Sequence, residues 1–400
     1  MLGSEPNAMN VKALAAALLL VVSAVGPTAA AAAGVTQEGK AYTGTHVTFD
    51  TKADAIADYS VDGNTVVDSV AVQSKSKTES SGGLGVDISL KAVTNFDAAG
   101  LSVASSSSTQ ATVEAESGAT IAAHDNDRGI MVVSAGDESQ YVNANLSSGS
   151  QAEQAGDNRV VVQKEGGSTG TFIVVGDGDV TVNEAGNVSA RLGEGAKLVY
   201  RQYEGERSDG EKQQERLIAD GTAAAEVYYQ QAEESGDSGT QRTADVVQYG
   251  EDTSVEVTER SQNRVNMTVD RTTHQGKVVI VSVTESAMEN AQNAKVYVDG
   301  EAAVKASSYS GVQSAANGGD DCKYLVQSSS SAQASTDVVV GINHFSARQM
   351  SVQSGDDSSS GGDDSGDGSG DSPTDGSGPG FGVLAALAAI GAALFARTRL

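Results

Sequence analysis

From Ala41 onward the chain alternates short runs rich in Val, Thr, Tyr and Ile with breaks of Gly, Asp, Asn and Ser. Apolar and polar positions within the runs follow a period of two, the mark of a strand whose successive side chains face opposite ways. Such runs occupy Asn64–Val72, Gly129–Val133, Arg159–Val162, Thr171–Val175, Lys197–Tyr200, Ala224–Tyr229, Val278–Val283 and Val338–Gly341. The pattern predicts an all-β chain folded as one or two antiparallel β-sandwich or solenoid-like modules. Asp62-Gly63 and Asp299-Gly300 fall between runs and read as tight hairpins, where glycine supplies the positive φ. The windows Tyr59-Ser60-Val61-Asp62-Gly63 and Val296-Tyr297-Val298-Asp299-Gly300 look alike. Turn preference accounts for this, with an internal duplication as the alternative.

Helical periodicity is scarce. Only Ala53–Asp58 and Glu285–Ala294 read as short helical patches, and neither has a full set of end signals. The charged stretch Glu204–Arg216 and the polar Gln230–Arg242 read as loops, the second marking a boundary near residue 245. The expected layout is a β-rich module over 34–245, a second over 246–353, and a Ser/Gly/Asp linker over 354–378. That linker holds seven aspartates and almost nothing to bury, so it is expected to stay unfolded and extended.

The ends read as addresses. Lys12, the apolar run Ala13–Val25 and a small-residue stretch to Ala33 make residues 1–33 a secretory signal peptide in layout, with Met9 as an alternative start. At the other end, Pro379-Gly380-Phe381 opens an uncharged run of 16 residues from Phe381 to Ala396, closed by Arg397 and Arg399. That is just under the roughly 17–25 residues of a stable spanning helix. Basic residues beyond the run favour the cytoplasmic side, which leaves everything before Pro379 outside the cell. The order of spacer, motif, apolar run and basic end resembles the PGF-CTERM sorting signal of archaeal, chiefly haloarchaeal, surface proteins. The resemblance covers residues 379–400 only. It implies that an archaeosortase recognises Pro379, Gly380 and Phe381, removes the helix and leaves a prenyl-derived lipid anchor. An ordinary C-terminal membrane helix is the other reading, and it tethers the chain to the same face.

Composition sharpens this. The chain has 26 basic and 53 acidic residues, a net charge of −27, no Trp and 4% aromatics. A lean core under strong self-repulsion suits a saline exterior, and the charge disfavours nucleic acid as a partner. The single cysteine, Cys322, excludes an intramolecular disulfide and reads as a buried, inert thiol.

Candidate chemistry is sparse. Asn145-Leu146-Ser147, Asn187-Val188-Ser189 and Asn266-Met267-Thr268 fit the glycan-acceptor pattern, making Asn145, Asn187 and Asn266 the expected glycosylation sites. Thr120-Ile121-Ala122-Ala123-His124 and Gly236-Asp237-Ser238-Gly239 look like the histidine and nucleophile segments of chymotrypsin-like proteases, with Asp179 as a partner for His124. That reading is set aside because Ser238 lies in a wholly polar run, where a rigid oxyanion hole has no support. Gly176-Asp177-Gly178-Asp179 reads as a plain turn, and His344 as the cap of a buried strand end. The four histidines show no zinc-ligand spacing, so no catalytic, metal or cofactor site is expected. The expectation is an exported, membrane-anchored cell-surface protein with a structural or binding role. Its expected partners are the cell membrane, an archaeosortase, and an S-layer or extracellular glycans. A surface-anchored hydrolase of unrecognised family stands as the alternative.

Overall fold

The computed structural model describes residues 39–81, 89–231, 241–328 and 335–355. The signal peptide, Ser238, residues 356–378 of the linker and Pro379, Gly380 and Phe381 lie outside them. The chain divides into a unit Met1–Asp356, which holds every described residue, and a second, Asp357–Leu400, which holds none.

Among the described residues twenty-six strands carry the fold. In chain order they begin with β1 (Gly39–Thr43), β2 (Val47–Thr51), β3 (Ile56–Val61), β4 (Asn64–Ser74), β5 (Leu101–Ser106), β6 (Gln110–Ala115), β7 (Thr120–His124), β8 (Met131–Ser134) and β9 (Gln140–Leu146). There follow β10 (Ser150–Gln154), β11 (Arg159–Lys164), β12 (Thr169–Val175), β13 (Gly178–Val182), β14 (Val188–Leu192), β15 (Lys197–Tyr203), β16 (Ala223–Gln231), β17 (Arg242–Gln248) and β18 (Thr253–Ser261). The last are β19 (Arg264–Arg271), β20 (Gln275–Val283), β21 (Lys295–Val298), β22 (Glu301–Ala302), β23 (Val304–Lys305), β24 (Lys323–Ser328), β25 (Thr336–His344) and β26 (Arg348–Gln353). Three α-helices join them among the described residues: α1 (Lys75–Ser81), α2 (Asp209–Ala219) and α3 (Tyr309–Ala316). Among the described residues no helix is long and apolar enough to cross a membrane.

The strands form four sheets. Sheet I has the order β1-β2-β3-β4-β9-β14-β13 and sheet II the order β10-β11-β12-β15-β8-β7-β6-β5. Sheet III runs β17-β16-β20-β25-β24-β23 and sheet IV β18-β19-β26-β21-β22. Pairing is antiparallel except β16 with β20 and β23 with β24, both in sheet III. One apolar core, with Phe49, Tyr59, Val133, Phe172 and Tyr200, lies between sheets I and II. A second, with Val227, Tyr229, Met267, Val281 and Met350, lies between sheets III and IV. The all-β expectation therefore holds, as two sandwiches.

The two sandwiches are joined by a third core. The central strands of sheets II and III are buried on both faces, so alternate residues of one strand feed different cores. On β12, Phe172 and Val174 enter the first core while Ile173 and Val175 enter the third. On β20, Val279 and Val281 enter the second while Val278 and Ile280 enter the third. Helices α2 and α3 add Leu217, Ile218, Val312 and Ala316 to that third core. Residue 245, the expected boundary, falls within β17, which pairs with β16 in sheet III. The chain passes from sheet II to sheet III earlier, through α2 between β15 and β16.

Both Asp-Gly hairpins have positive φ at the two central residues: 48° and 74° at Asp62-Gly63, 53° and 83° at Asp299-Gly300. These are the mirror-image turns whose twist matches that of the flanking strands. The helical readings need correction. Ala53–Asp58 is a bend leading into β3, with Asp58 at φ 52° where the chain irregularly pairs. Glu285–Ala294 is turns and a short 3-10 segment at Ala291–Asn293, because left-handed Asn290, φ 55°, breaks any continuous helix. Conversely, Glu204–Arg216 is no simple loop: it contains most of α2. Ser208 Oγ accepts from the Glu211 backbone N–H at 3.2 Å, and the Ser208 N–H donates to Glu211 Oε2 at 2.7 Å. That reciprocal cap satisfies two N–H groups at the helix start.

Candidate functional site

The same alternation that builds the third core also buries charge. Arg201 and Tyr203 follow Val199 on one face of β15; Glu226 precedes Tyr228 on β16; Asp245 precedes Val247 on β17; Asp337 precedes Val339 on β25. Arg128, just before β8, shares the spacing of Ile130 and Val132. Arg128, Arg201, Glu211, Glu226, Asp245 and Asp337 are each at most 2% exposed, where an unpaired charge would be untenable.

Each has partners. Arg128 Nη1 binds Glu211 Oε1 at 2.8 Å, and its guanidinium lies 4.7 Å from the centre of the Tyr203 ring. Arg201 Nη2 lies 3.1 Å from Glu226 Oε1, and Tyr228 donates its hydroxyl to Glu226 Oε2 at 2.6 Å. Gln214 of α2 donates to Asp337 Oδ2 at 2.7 Å. At one margin Glu215 accepts from Thr171 Oγ1 at 2.8 Å and from Arg207 Nη1 at 2.7 Å. Burial opposes the charged form of Arg128, but Asp337 together with Tyr228 and Tyr203 outweighs it, and the guanidinium stays protonated. Burial also drives the Tyr203 and Tyr228 hydroxyls far above their ordinary range, so both stay neutral.

His124 closes this network at its other margin. Its Nδ1 lies 2.8 Å from Asp245 Oδ1, and Asn126 Nδ2 donates to Asp245 Oδ2 at 2.7 Å. Next to it, Asp125 accepts from the backbone N–H groups of Thr45, His46 and Val47 at 2.7–2.8 Å, pinning the β1–β2 turn. Gln230 of β16 donates to the Asp125 carbonyl at 3.0 Å. Residues 124–128 thus bind sheet I, sheet II and sheet III together. His46 Nδ1 in turn contacts Asp62 Oδ1 at 2.8 Å. Burial lowers its pKa, but Asp62, with Asp125 and Asp127 behind it, raises it more, for a net upward shift.

His124 and Asp179 are not brought together: Asp179 pairs with Arg191 across β13 and β14, and the carboxylate on His124 is Asp245. With a 3% exposed imidazole, the His124–Asp245 pair fixes ring orientation inside the protein. Gly176-Asp177 forms the β12–β13 turn, with Gly176 at φ 90°. His344 ends β25 as an exposed residue, its Nε2 3.3 Å from Arg348 Nη1. Cys322 is half-buried rather than buried; its Sγ donates to Asn343 Oδ1 at 3.3 Å, at the rim of the second core.

Two of the three sequons meet. Asn187 Nδ2 donates to Asn145 Oδ1 at 3.1 Å, Asn145 Nδ2 donates to Ser69 Oγ at 2.9 Å, and both residues are half-buried. Asn266 stands on the outer face of β19, donating to Glu259 Oε2 at 2.5 Å. The buried network was missed by sequence reading, although one signal was present. A charged residue at a core-parity position of an apolar strand, as Glu226 within Ala223–Tyr229, demands a buried partner.

Surface concavities lie elsewhere. A groove of about 760 Å³ runs where edge strands β10 and β13 close the first sandwich, lined by Lys91, Glu153, Gln154, Asp157, Asp179 and Arg191 among others. A second, of about 470 Å³, includes Lys77, Glu116, Asp137 and Glu138. Among the described residues no three His, Cys, Asp or Glu side chains are grouped to hold a metal ion. No family model matches the chain, and no curated protein matches it. Among solved structures the chain is similar to a mutant of a glycoside hydrolase family 81 protein from Clostridium thermocellum, at 10% identity and a TM-score of 0.36. The likeness covers 78% of this chain but 34% of that protein, about a third of its length, and is too low to bear on activity.

Proposed function

We propose that the chain is an exported archaeal cell-surface protein whose double β-sandwich is held outside the membrane by its C-terminal segment, in a structural or binding role. The observation that carries this reading is the order of residues after the last strand. β26 ends at Gln353, the compact unit ends at Asp356, and the aspartate-rich tract, Pro379-Gly380-Phe381, the apolar run and the two arginines then follow in sequence. A folded unit, an acidic spacer and a short apolar end are the parts a tethered ectodomain needs. The dense ionic seam fits the same role: it joins two sandwiches into one body that a stalk can present as a unit.

The reading is tested by replacing Pro379-Gly380-Phe381 with three alanines and measuring intact mass. The variant is expected to accumulate as a precursor that keeps its C-terminal helix, while the parent chain matures to a shorter, lipid-bearing form. Identical mature masses would remove the sorting assignment.

A further inference from the structure

The three sequons enter the fold in two ways. Val188 pairs with Ala144 and Ser69 with Asn145, which sets Ser69, Asn145 and Asn187 side by side on β4, on β9 and at the start of β14. Asn187 Nδ2 donates to Asn145 Oδ1 at 3.1 Å and Asn145 Nδ2 to Ser69 Oγ at 2.9 Å, while Asn187 Oδ1 accepts from the Leu146 N–H at 3.0 Å. Both amides are thus engaged at nitrogen and at oxygen. Their partner hydroxyls are enclosed as well: Ser189 is fully buried and donates to the Val93 carbonyl at 2.6 Å, and Ser147 is 7% exposed. Asn266 is different. Val265, Met267 and Val269 enter the second core, so Asn266 and Thr268 lie on the outer face of sheet IV, both half-buried. Asn266 Nδ2 donates to Glu259, an exposed residue of β18, but its Oδ1 is shielded from solvent and has no hydrogen-bond partner among the described residues. Swinging this amide outward gives up one surface hydrogen bond and relieves a buried, unsatisfied acceptor; doing so at Asn145 or Asn187 breaks a ladder across three strands.

From this contrast we infer that Asn266 alone carries an N-linked oligosaccharide, on the outer face of sheet IV, and that Asn145 and Asn187 serve as a structural clasp in sheet I. Export, proposed above, is the precondition, because the acceptor pattern is modified in secreted chains. The co-reactant is a sugar activated by a phosphate leaving group at its anomeric carbon. Asn266 Nδ2 attacks that carbon, the new C–N bond replaces the C–O bond to phosphate, the phosphate leaves with the bonding pair, and one Nδ2 proton passes to a base of the transferring enzyme. The linked amide keeps one N–H for Glu259. The timing of transfer does not change the outcome. After folding, the ladder and the buried serines withhold Asn145 and Asn187; before folding, a sugar on either keeps β4, β9 and β14 from closing, so the folded chain is bare at both. A glycan on Asn266 instead covers an outward face that also presents Glu256, Gln349 and Ser351.

Trypsin separates the three sites, because cleavage after lysine and arginine leaves residues 129–159, 165–191 and 265–271 on different peptides. In protein recovered from the outer surface of the cells that make it, the 265–271 peptide is expected to carry the added mass of an oligosaccharide and the other two to have their unmodified masses. Asn266→Gln and Thr268→Ala are each expected to remove the whole N-linked mass with an unchanged circular dichroism spectrum. Asn145→Gln and Asn187→Gln are expected to leave that mass in place and to lower the melting temperature by about 2 °C. A glycan on 129–159 or 165–191, or N-linked mass that survives Asn266→Gln, overturns the inference. So does a bare 265–271 peptide from surface-located protein, which leaves the export reading standing; protein confined to the cell interior overturns both.

Discussion

At the scale of single residues, the ionic groups between sheets II and III act in pairs, and breaking a pair is costlier than removing it. Arg201 and Glu226 are each 1% exposed and 3.1 Å apart. Glu226→Gln keeps the shape and the Tyr228 contact but strands a buried guanidinium, a change expected to cost about 3–5 kcal/mol. Arg201→Met strands the buried carboxylate instead and is expected to cost a similar amount. The double variant Arg201→Met, Glu226→Gln is expected to lose less than the sum of the two, because neither partner is left charged alone. Thermal melts of the four proteins at matched salt check this; strictly additive losses would mean the pair is not coupled.

At the scale of elements, α2 shows how one short segment serves two purposes. Glu211 Oε2 accepts from the Ser208 N–H at the helix start while Glu211 Oε1 binds Arg128. Ser208→Ala removes one half of the reciprocal cap and is expected to lower stability by about 1 kcal/mol. Glu211→Gln keeps a side chain able to cap but discharges the partner of Arg128, and should cost more; denaturant midpoints for the two variants separate the roles. This helix also marks the limit of what the sequence shows. Strands such as Thr169–Val175 and Gln275–Val283 were legible because Val-rich runs carry both their period and their length. The Asp-Gly hairpins were legible because few residues accept two successive positive φ angles. α2 was not, because EGERSDGEKQQER is mostly polar and its helical face is completed by Leu217 and Ile218 beyond it. Its signature was the Ser208-x-x-Glu211 spacing, which composition obscured. The ionic seam was illegible for a further reason: Arg128, Glu211 and Asp337 come from distant parts of the chain, and only sheet stacking brings them together.

At the scale of the whole molecule, buried and surface charge respond to salt in opposite degree. The seam excludes solvent, so ions screen it little. The exterior is different: taking the seven aspartates of the linker from the total of −27 leaves −20 on the rest of the chain. Few large aromatics offset that repulsion, since the chain has 6 Phe, 11 Tyr and no Trp. Screening reaches over about 3 Å at 1 M salt and about 10 Å at 0.1 M, so dilution lets carboxylates on one face repel across several residues. Moving from multimolar salt to 0.1 M is expected to lower the melting temperature by roughly 5–10 °C. The loss from Glu226→Gln, being internal, should stay nearly the same at both salts. The third core and the seam give both sandwiches a shared interior, so calorimetry should follow one transition rather than two as salt falls. A melting temperature indifferent to salt would show that surface repulsion is not what limits this fold; two resolved transitions would show that the sandwiches are coupled more weakly than their common core requires.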